Sequence, residues 1–238
     1  MNTKQDIQKN SFFSFVKLVT IAIFLAVVFR ALVLQPFYIP SESMVPTFQV
    51  GDRLFVTKYS YGYSKYSFPF TIFNFSGRFL ESTPNRGDVI VFRHPYKNED
   101  WIKRLIGLPG DRIQMKRGRL YINGQKTERK EIETSSLLVK SYIETLPAGP
   151  THLIHEYSDN DSNDNTPVIK VPKDHFFVMG DNRDNSTDSR SGFFVHKDNL
   201  IGQAKWIFFS IDYEEGHFYE FWKWPWSIRF DRFFLQVK

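Results

Sequence analysis

Hydrophobic positions along this chain fall into two regimes. From Leu18 to Leu34 they run almost unbroken. At about 1.5 Å of rise per residue, a helix extended by Phe12, Phe13 and Phe15 just crosses a hydrocarbon core of about 30 Å. The run lacks the polar face of a helix packed on a globular core. A cleaved leader would need small residues before a cut site, and the stretch from Phe29 to Val33 offers none in that spacing. The pattern therefore predicts an uncleaved transmembrane anchor over residues 12–35. Lys17 and Arg30 lie within it or at its edges, where long stems carry their charges to the headgroup layers. Lys4, Lys9 and Lys17 precede the span, and after Arg30 the next basic residue is Arg53. The charge bias makes residues 1–11 a cytoplasmic tail and puts the rest of the chain outside.

Beyond Pro36 the pattern changes to short alternating runs: Leu54 to Lys58, Val89 to Phe92, Trp101 to Ile106, Arg112 to Met115, Leu120 to Ile122, Phe176 to Met179 and Ala204 to Ile211. These predict strands. Arg86-Gly87-Asp88, Pro109-Gly110-Asp111, Lys116-Arg117-Gly118 and Asn123-Gly124 mark the turns between them. The fold class is mainly β: one N-terminal transmembrane helix, then an antiparallel sheet domain (36–112 and 173–216) with a small inserted β region (113–172). Residues 158–166 are a polar tract that reads as an exposed insertion tip. Tyr59 to Phe79 and the C-terminal segment 217–238 mix rings with Lys, Arg, Ser and Gly, the composition of a membrane interface, although for Tyr59 to Phe79 rings that fill the core fit equally well.

Composition sharpens this picture only in part. Aromatic residues make up 17% of the 238 residues, heavy enough to expect some rings against lipid. The net charge of +5 comes without an RNA-binding aromatic signature, zinc-finger spacing or basic stripe, so no nucleic-acid partner is expected. With no cysteine, disulfides and thiol catalysis are excluded. Asp159, Asp161 and Asn163 imitate the start of a calcium loop, but Asp164 stands in the glycine position and Lys170 in place of the closing glutamate. His152 and His155 precede a glutamate in the wrong order for a zinc protease and read as a surface pair. Neither points to a metal.

The chemistry lies in three segments: Ile39-Pro-Ser-Glu-Ser-Met-Val-Pro-Thr47, Trp101-Ile-Lys-Arg-Leu-Ile-Gly-Leu-Pro-Gly-Asp111 and Gly180-Asp-Asn-Arg-Asp-Asn-Ser-Thr-Asp-Ser-Arg190. Taken in order after an anchor, and with Arg86-Gly-Asp-Val-Ile-Val-Phe92 as a fourth, they closely resemble the boxes of bacterial type I signal peptidases (leader peptidases). The resemblance runs from the anchor through Ile211. It implies the fold shared with repressor-type autoproteases, no cofactor, exported precursor proteins as partners together with the lipid bilayer, and a place in the bacterial cytoplasmic membrane. The reaction it implies is removal of signal peptides after a small-x-small motif.

The residues support that chemistry in their own right. A serine hydroxyl attacks an amide only when a base takes its proton, and no histidine lies near either serine in sequence. A lysine serves if burial holds it neutral, which takes a fall of roughly two to three units from about 10.4. Trp101, Ile102, Leu105 and Ile106 offer Lys103 that apolar cover, with Arg104 on the opposite strand face. By the resemblance, Ser43 is the nucleophile, Lys103 the general base, and Ser41 with the Ser43 N–H the oxyanion hole. Ser186 would hydrogen-bond the lysine amine, and Asp188 and Arg190 would position the third segment. Phe37, Ile39, Met44 and Ile102 would line shallow pockets for small residues. The departures are Trp101, where a tyrosine is usual, and Glu42 at the variable position between the serines. Ser43 lies nine residues beyond Leu34, and at about 3.5 Å per residue the site must sit near the outer membrane surface. Two other readings compete: a self-cleaving repressor-type protease, against which the anchor argues, and a catalytically inactive membrane-tethered binding domain.

Overall fold

The computed structural model describes residues 3–68, 75–132, 139–212 and 220–237. Parts of the two aromatic stretches, 69–74 and 217–219, and residues 133–138 of the insert lie outside the described residues. A single long helix, α1 (Thr3–Leu32), leads the chain. From Phe12 to Leu32 it is long and apolar enough to cross a membrane, and its side chains are exposed from Phe12 through Val27. Four strands follow: β1 (Leu34–Tyr38), β2 (Asp52–Thr57), β3 (Val89–Arg93) and β4 (Asp100–Gly107). The insert then supplies β5 (Arg112–Lys116), β6 (Arg119–Ile122), β7 (Gln125–Lys126), β8 (Glu128–Ile132), β9 (Lys140–Thr145), β10 (Thr151–Glu156) and β11 (Ile169–Lys170). The chain returns through β12 (His175–Met179), β13 (Val195–His196), β14 (Leu200–Ser210) and β15 (Leu235–Gln236).

The main sheet runs β1-β2-β14-β3-β4-β12-β13, with β15 added against β14. The insert forms two smaller sheets, β11-β5-β6-β7 and β10-β9-β8. β14 shifts register twice along β2, between Ala204 and Trp206 and between Ile207 and Phe209. Each such irregularity bends a strand and increases its twist, which curls the sheet. One face packs Ile90, Phe92, Leu105, Val178 and Leu200, and the other packs Ile39, Met44, Phe48, Leu54 and Ala204. Covered on both sides, β3 reads Val-Ile-Val-Phe without alternation.

Strands arise where β-branched and aromatic residues alternate, and each of the seven runs predicted from the pattern falls on a strand, with Lys58 and Ile211 one residue past the ends of β2 and β14. Three features differ. The helix stops at Leu32 and β1 starts at Leu34, so the end of the expected 12–35 anchor already belongs to the sheet. β8 to β10 carry too many polar residues for a clear period-two apolar signal and are held by pairing with one another. His152 is buried instead of forming a surface pair with His155: both lie on β10, where residues three apart face opposite ways. The acidic tract is only partly an exposed tip. Asp164 is fully buried and accepts the Asp161 N–H, and Met115 N–H donates to Thr166 Oγ1, fastening the tract to β5.

Candidate active site

Ser43 and Lys103 reach one another across the curl. Ser43 sits in a short 3₁₀ turn, Glu42–Met44, in the loop after β1, and Lys103 lies within β4 opposite Ile90. In sheet order β1 and β4 are four strand spacings apart, roughly 19 Å on a flat sheet. Yet Lys103 Nζ donates to Ser43 Oγ at 2.6 Å. Its other bond goes to the Ile102 carbonyl at 3.1 Å, and the Trp101 ring lies 5.5 Å from the amine. Burial lowers the Lys103 pKa from 10.5 to about 8 against the opposing charges of Asp188 and Asp181, with Arg190 lowering it further. Ser41 Oγ stands 3.4 Å from Ser43 Oγ.

The Gly180–Arg190 segment supports this pair from behind. Asp188 is fully buried and accepts from Gly180 N–H (3.0 Å), Ser186 Oγ (2.9 Å) and Arg190 Nη2 (2.8 Å). Burial pushes the Asp188 carboxyl up, but the Arg190 charge and these bonds outweigh it and hold the group below its ordinary value. The Ser186 hydroxyl is turned to Asp188, so the bond to Lys103 expected from sequence is not made; an ionised carboxylate is the stronger acceptor. Gly180 separates Ser186 from Ser43 closely: a Cβ there would lie 2.2 Å from Ser186 Oγ and 2.4 Å from the Ser43 carbonyl oxygen.

Several residues at the site carried no specific role in the sequence reading. Arg104, on the strand face opposite Lys103, is fully buried and forms a bidentate pair with Asp181 at 2.8 and 2.7 Å. Asp181 accepts the Thr47 hydroxyl at 2.5 Å. Asn182 N–H donates to the Ser43 carbonyl and its Nδ2 to the Glu42 carbonyl, both at 3.2 Å. Glu42 in turn accepts from Asn185 Nδ2 at 3.0 Å. Arg183 is buried against Glu144 of β9. The signal available was the density of Asp, Asn and Arg in the third segment; which partner each one takes is set by the fold.

A cleft of about 700 Å³ opens over the pair, lined by Phe37 through Ser43, Val91, Glu99 through Lys103, Asn185 and Thr187. Phe37, Ile39 and Ile102 are among its walls. Met44 is not: it is completely enclosed and packs with Phe48 and Leu54, because the 3₁₀ turn points it into the core while Ser43 faces out.

A serine hydroxyl in contact with a buried, pKa-lowered lysine, at the floor of an apolar-walled cleft, is the equipment of a serine hydrolase. The family model described as signal peptidase, peptidase S26 matches residues 12–209, and the chain belongs to that family of serine peptidases. It is 43% identical over 224 residues to signal peptidase I of Rickettsia typhi, covering 88% of this chain and 83% of the relative. To signal peptidase I of Rickettsia bellii it is 40% identical over 246 residues, covering 94% and 84%. Among solved structures, a signal peptidase I from Enterococcus faecalis V583 matches with a TM-score of 0.34 and 26% identity, covering 51% of this chain and 97% of that one.

Proposed function

We propose that this chain removes N-terminal signal peptides from exported precursors after a small-x-small motif, with Ser43 as nucleophile and Lys103 as general base. The observation that carries the reading is the 2.6 Å contact between Ser43 Oγ and an amine whose pKa burial lowers to about 8. Once Lys103 is neutral, the Ser43 hydroxyl donates along the same line to its lone pair. Ser43 Oγ attacks the scissile carbonyl as its proton passes to Lys103. The oxyanion is taken by the Ser43 N–H and the Ser41 hydroxyl. The new ammonium of Lys103 then protonates the departing amine, leaving the signal peptide as an ester on Ser43. Neutral Lys103 next takes a proton from water, which hydrolyses that ester. Ser186, Asp188 and Arg190 hold the supporting loop, and Phe37, Ile39 and Ile102 shape the pockets for small side chains. The cleft next to β1 suits a substrate laid out as an extended strand.

The anchor and the aromatic surfaces fit the same task. Residues 12–32 hold the enzyme in the cytoplasmic membrane with the tail inside and the β domain outside, and exposed Phe79, Leu80, Trp222, Trp226 and Phe234 face lipid. Residues 36–112 and 173–216 form the catalytic unit, 113–172 its insert and 217–238 an interfacial segment. The test is cleavage of a detergent-solubilised precursor with an Ala-x-Ala site, following the new N-terminus by mass spectrometry. Wild type cleaves; Ser43→Ala and Lys103→Met each lose the activity. Cleavage by Ser43→Ala would overturn the assignment, and full activity of Lys103→Met would require another base.

A further inference from the structure

The loop that carries Ser43 is gripped from a part of the chain that the family match, ending at residue 209, does not reach. Arg232 makes a bidentate pair with the fully buried Asp52, Nε to Oδ1 at 2.9 Å and Nη2 to Oδ2 at 2.6 Å. The same Nη2 donates to the Thr47 carbonyl at 3.1 Å. Thr47 and Asp52 bracket the return of the nucleophile loop into β2, so one planar guanidinium fixes both ends of that return. Asp52 also accepts the Gln49 N–H at 2.9 Å and the Ser210 hydroxyl at 2.7 Å. Arg229 adds a second grip: Nη1 donates to Gln49 Oε1 at 2.6 Å, Nε to Ser210 Oγ at 2.9 Å, and Nη2 to the Val50 carbonyl. Gly51 permits the close approach. Its φ of +98° places a hypothetical Cβ only 1.9 Å from the Ile211 carbonyl oxygen and 2.9 Å from Arg229 Nη2.

The front of the loop is tied separately, by Asn182 N–H to the Ser43 carbonyl and by the Thr47 hydroxyl to Asp181. Thr47 is therefore held on one side by the Gly180–Arg190 segment and on the other by Arg232. Between Thr47 and Ser43 the chain is stiffened by Phe48 N–H to the Met44 carbonyl and Val45 N–H to the Glu42 carbonyl. A displacement of Thr47 is passed to Ser43 with little slack to absorb it.

We propose that Arg232 is a positioning residue for the hydrolytic reaction: through Asp52 and Thr47 it sets the attack position of Ser43 against Lys103. This rests on the Ser43–Lys103 reading given above. Arg232 touches neither substrate nor reacting atoms, so its loss acts on the chemical step and leaves substrate binding and the Lys103 proton equilibrium in place.

The experiment uses the full chain in detergent, with Arg232→Ala, Arg232→Lys, Asp52→Asn and, as a control on the same segment, Lys223→Ala. Precursor cleavage gives kcat and KM across pH, an acylating lipopeptide probe reports Ser43 reactivity, and circular dichroism reports folding. Misplacing a reacting group by about 1 Å costs on the order of 10- to 100-fold. Arg232→Ala is expected to lose that factor in kcat and in the rate of Ser43 acylation, with KM within about twofold and the pH of half-maximal kcat unmoved. Arg232→Lys, which keeps the charge without the fork, recovers part of the rate; Asp52→Asn behaves like Arg232→Ala; Lys223→Ala is unchanged. Folded Arg232→Ala with wild-type kcat would overturn the proposal. So would loss of folded protein in Arg232→Ala, Arg232→Lys and Asp52→Asn alike, which would make the grip a global stabiliser. Ser43→Ala separates the two claims. If it is inactive while Arg232→Ala is fully active, the positioning role alone falls; if it cleaves, the dyad itself is wrong.

Discussion

At the scale of single residues the site turns on one proton. Lys103 must be neutral to act as a base, and burial brings its pKa from 10.5 to about 8. With neutral lysine as the active form, kcat measured in single turnover should rise with pH through about 8 and then level off. A limb centred well below 7 would point to another base. The same shift is a statement about stability. Between about 8 and 10.5 the folded chain binds fewer protons at this position than the unfolded chain, so stability rises with pH across that window. Below about 8 the full penalty applies, about 3 kcal/mol. Lys103→Met should therefore unfold at a higher temperature than wild type at pH 7, and the advantage should shrink above pH 8 and vanish above 10.5. A Met variant less stable than wild type at pH 7 would contradict the buried-amine account. Ser43 and Lys103 were legible as residues because their boxes are distinctive. The cause of the lowered pKa was legible only in outline: the neighbours Trp101 and Ile102 were visible, the pairing with Ile90 was not.

At the scale of elements, the third segment works as a wedge between the Ser43 loop and the insert. His155 N–H donates to the Asp181 carbonyl and Arg183 N–H to the His155 carbonyl, both at 2.9 Å, so β10 continues onto the segment like a short extra strand. With Arg183 buried against Glu144 of β9, the insert serves as the brace for the supporting loop. The wedge leaves no room at Gly180. Gly180→Ala is expected to fold, because its φ is not in the left-handed region, but to push apart Ser186 and the Ser43 carbonyl. Its acylation rate should fall on the order of 100-fold, read with the same probe; an unchanged rate would show that the wedge has slack. The strands of the main sheet were visible from alternation because each buries a stripe of Val, Ile, Leu or Phe. β8 to β10 were not, since strands rich in polar residues owe their existence to cross-strand partners, and those are fixed by topology.

At the scale of the whole molecule, the anchor and the β domain are separate in their packing. α1 leaves its side chains exposed from Phe12 through Val27, and it touches the sheet domain through its last turn, where the Leu32 carbonyl accepts the Tyr63 hydroxyl at 2.7 Å. Deleting residues 1–30 should leave the sheet intact, with a melting temperature within about 4 °C of the full chain, the shift expected for about 1 kcal/mol in a chain of this size. The truncated protein should still hydrolyse a short soluble peptide. Loss of the β circular dichroism signal would show that the helix supports the core. The opposite terminus behaves differently. Arg229 and Arg232 reach back to Gln49, Val50 and Asp52, closing the chain on itself behind the site.

The sequence alone determined the apolar span, the mainly β character beyond it, and the segments that meet at the candidate site, because these depend on local composition, on short periodicity and on motifs that each occupy about ten consecutive positions. What only the tertiary structure decided is every relation between positions far apart in the chain. It turned Ser186 toward Asp188, put Met44 in the core instead of the cleft, buried His152, paired Arg104 with Asp181, and brought Arg232 to Asp52 across 180 positions. The physical reason is that a side chain's burial and partner depend on which strands the curl of the sheet brings together. That curl comes from the register shifts along β14, which no local pattern encodes.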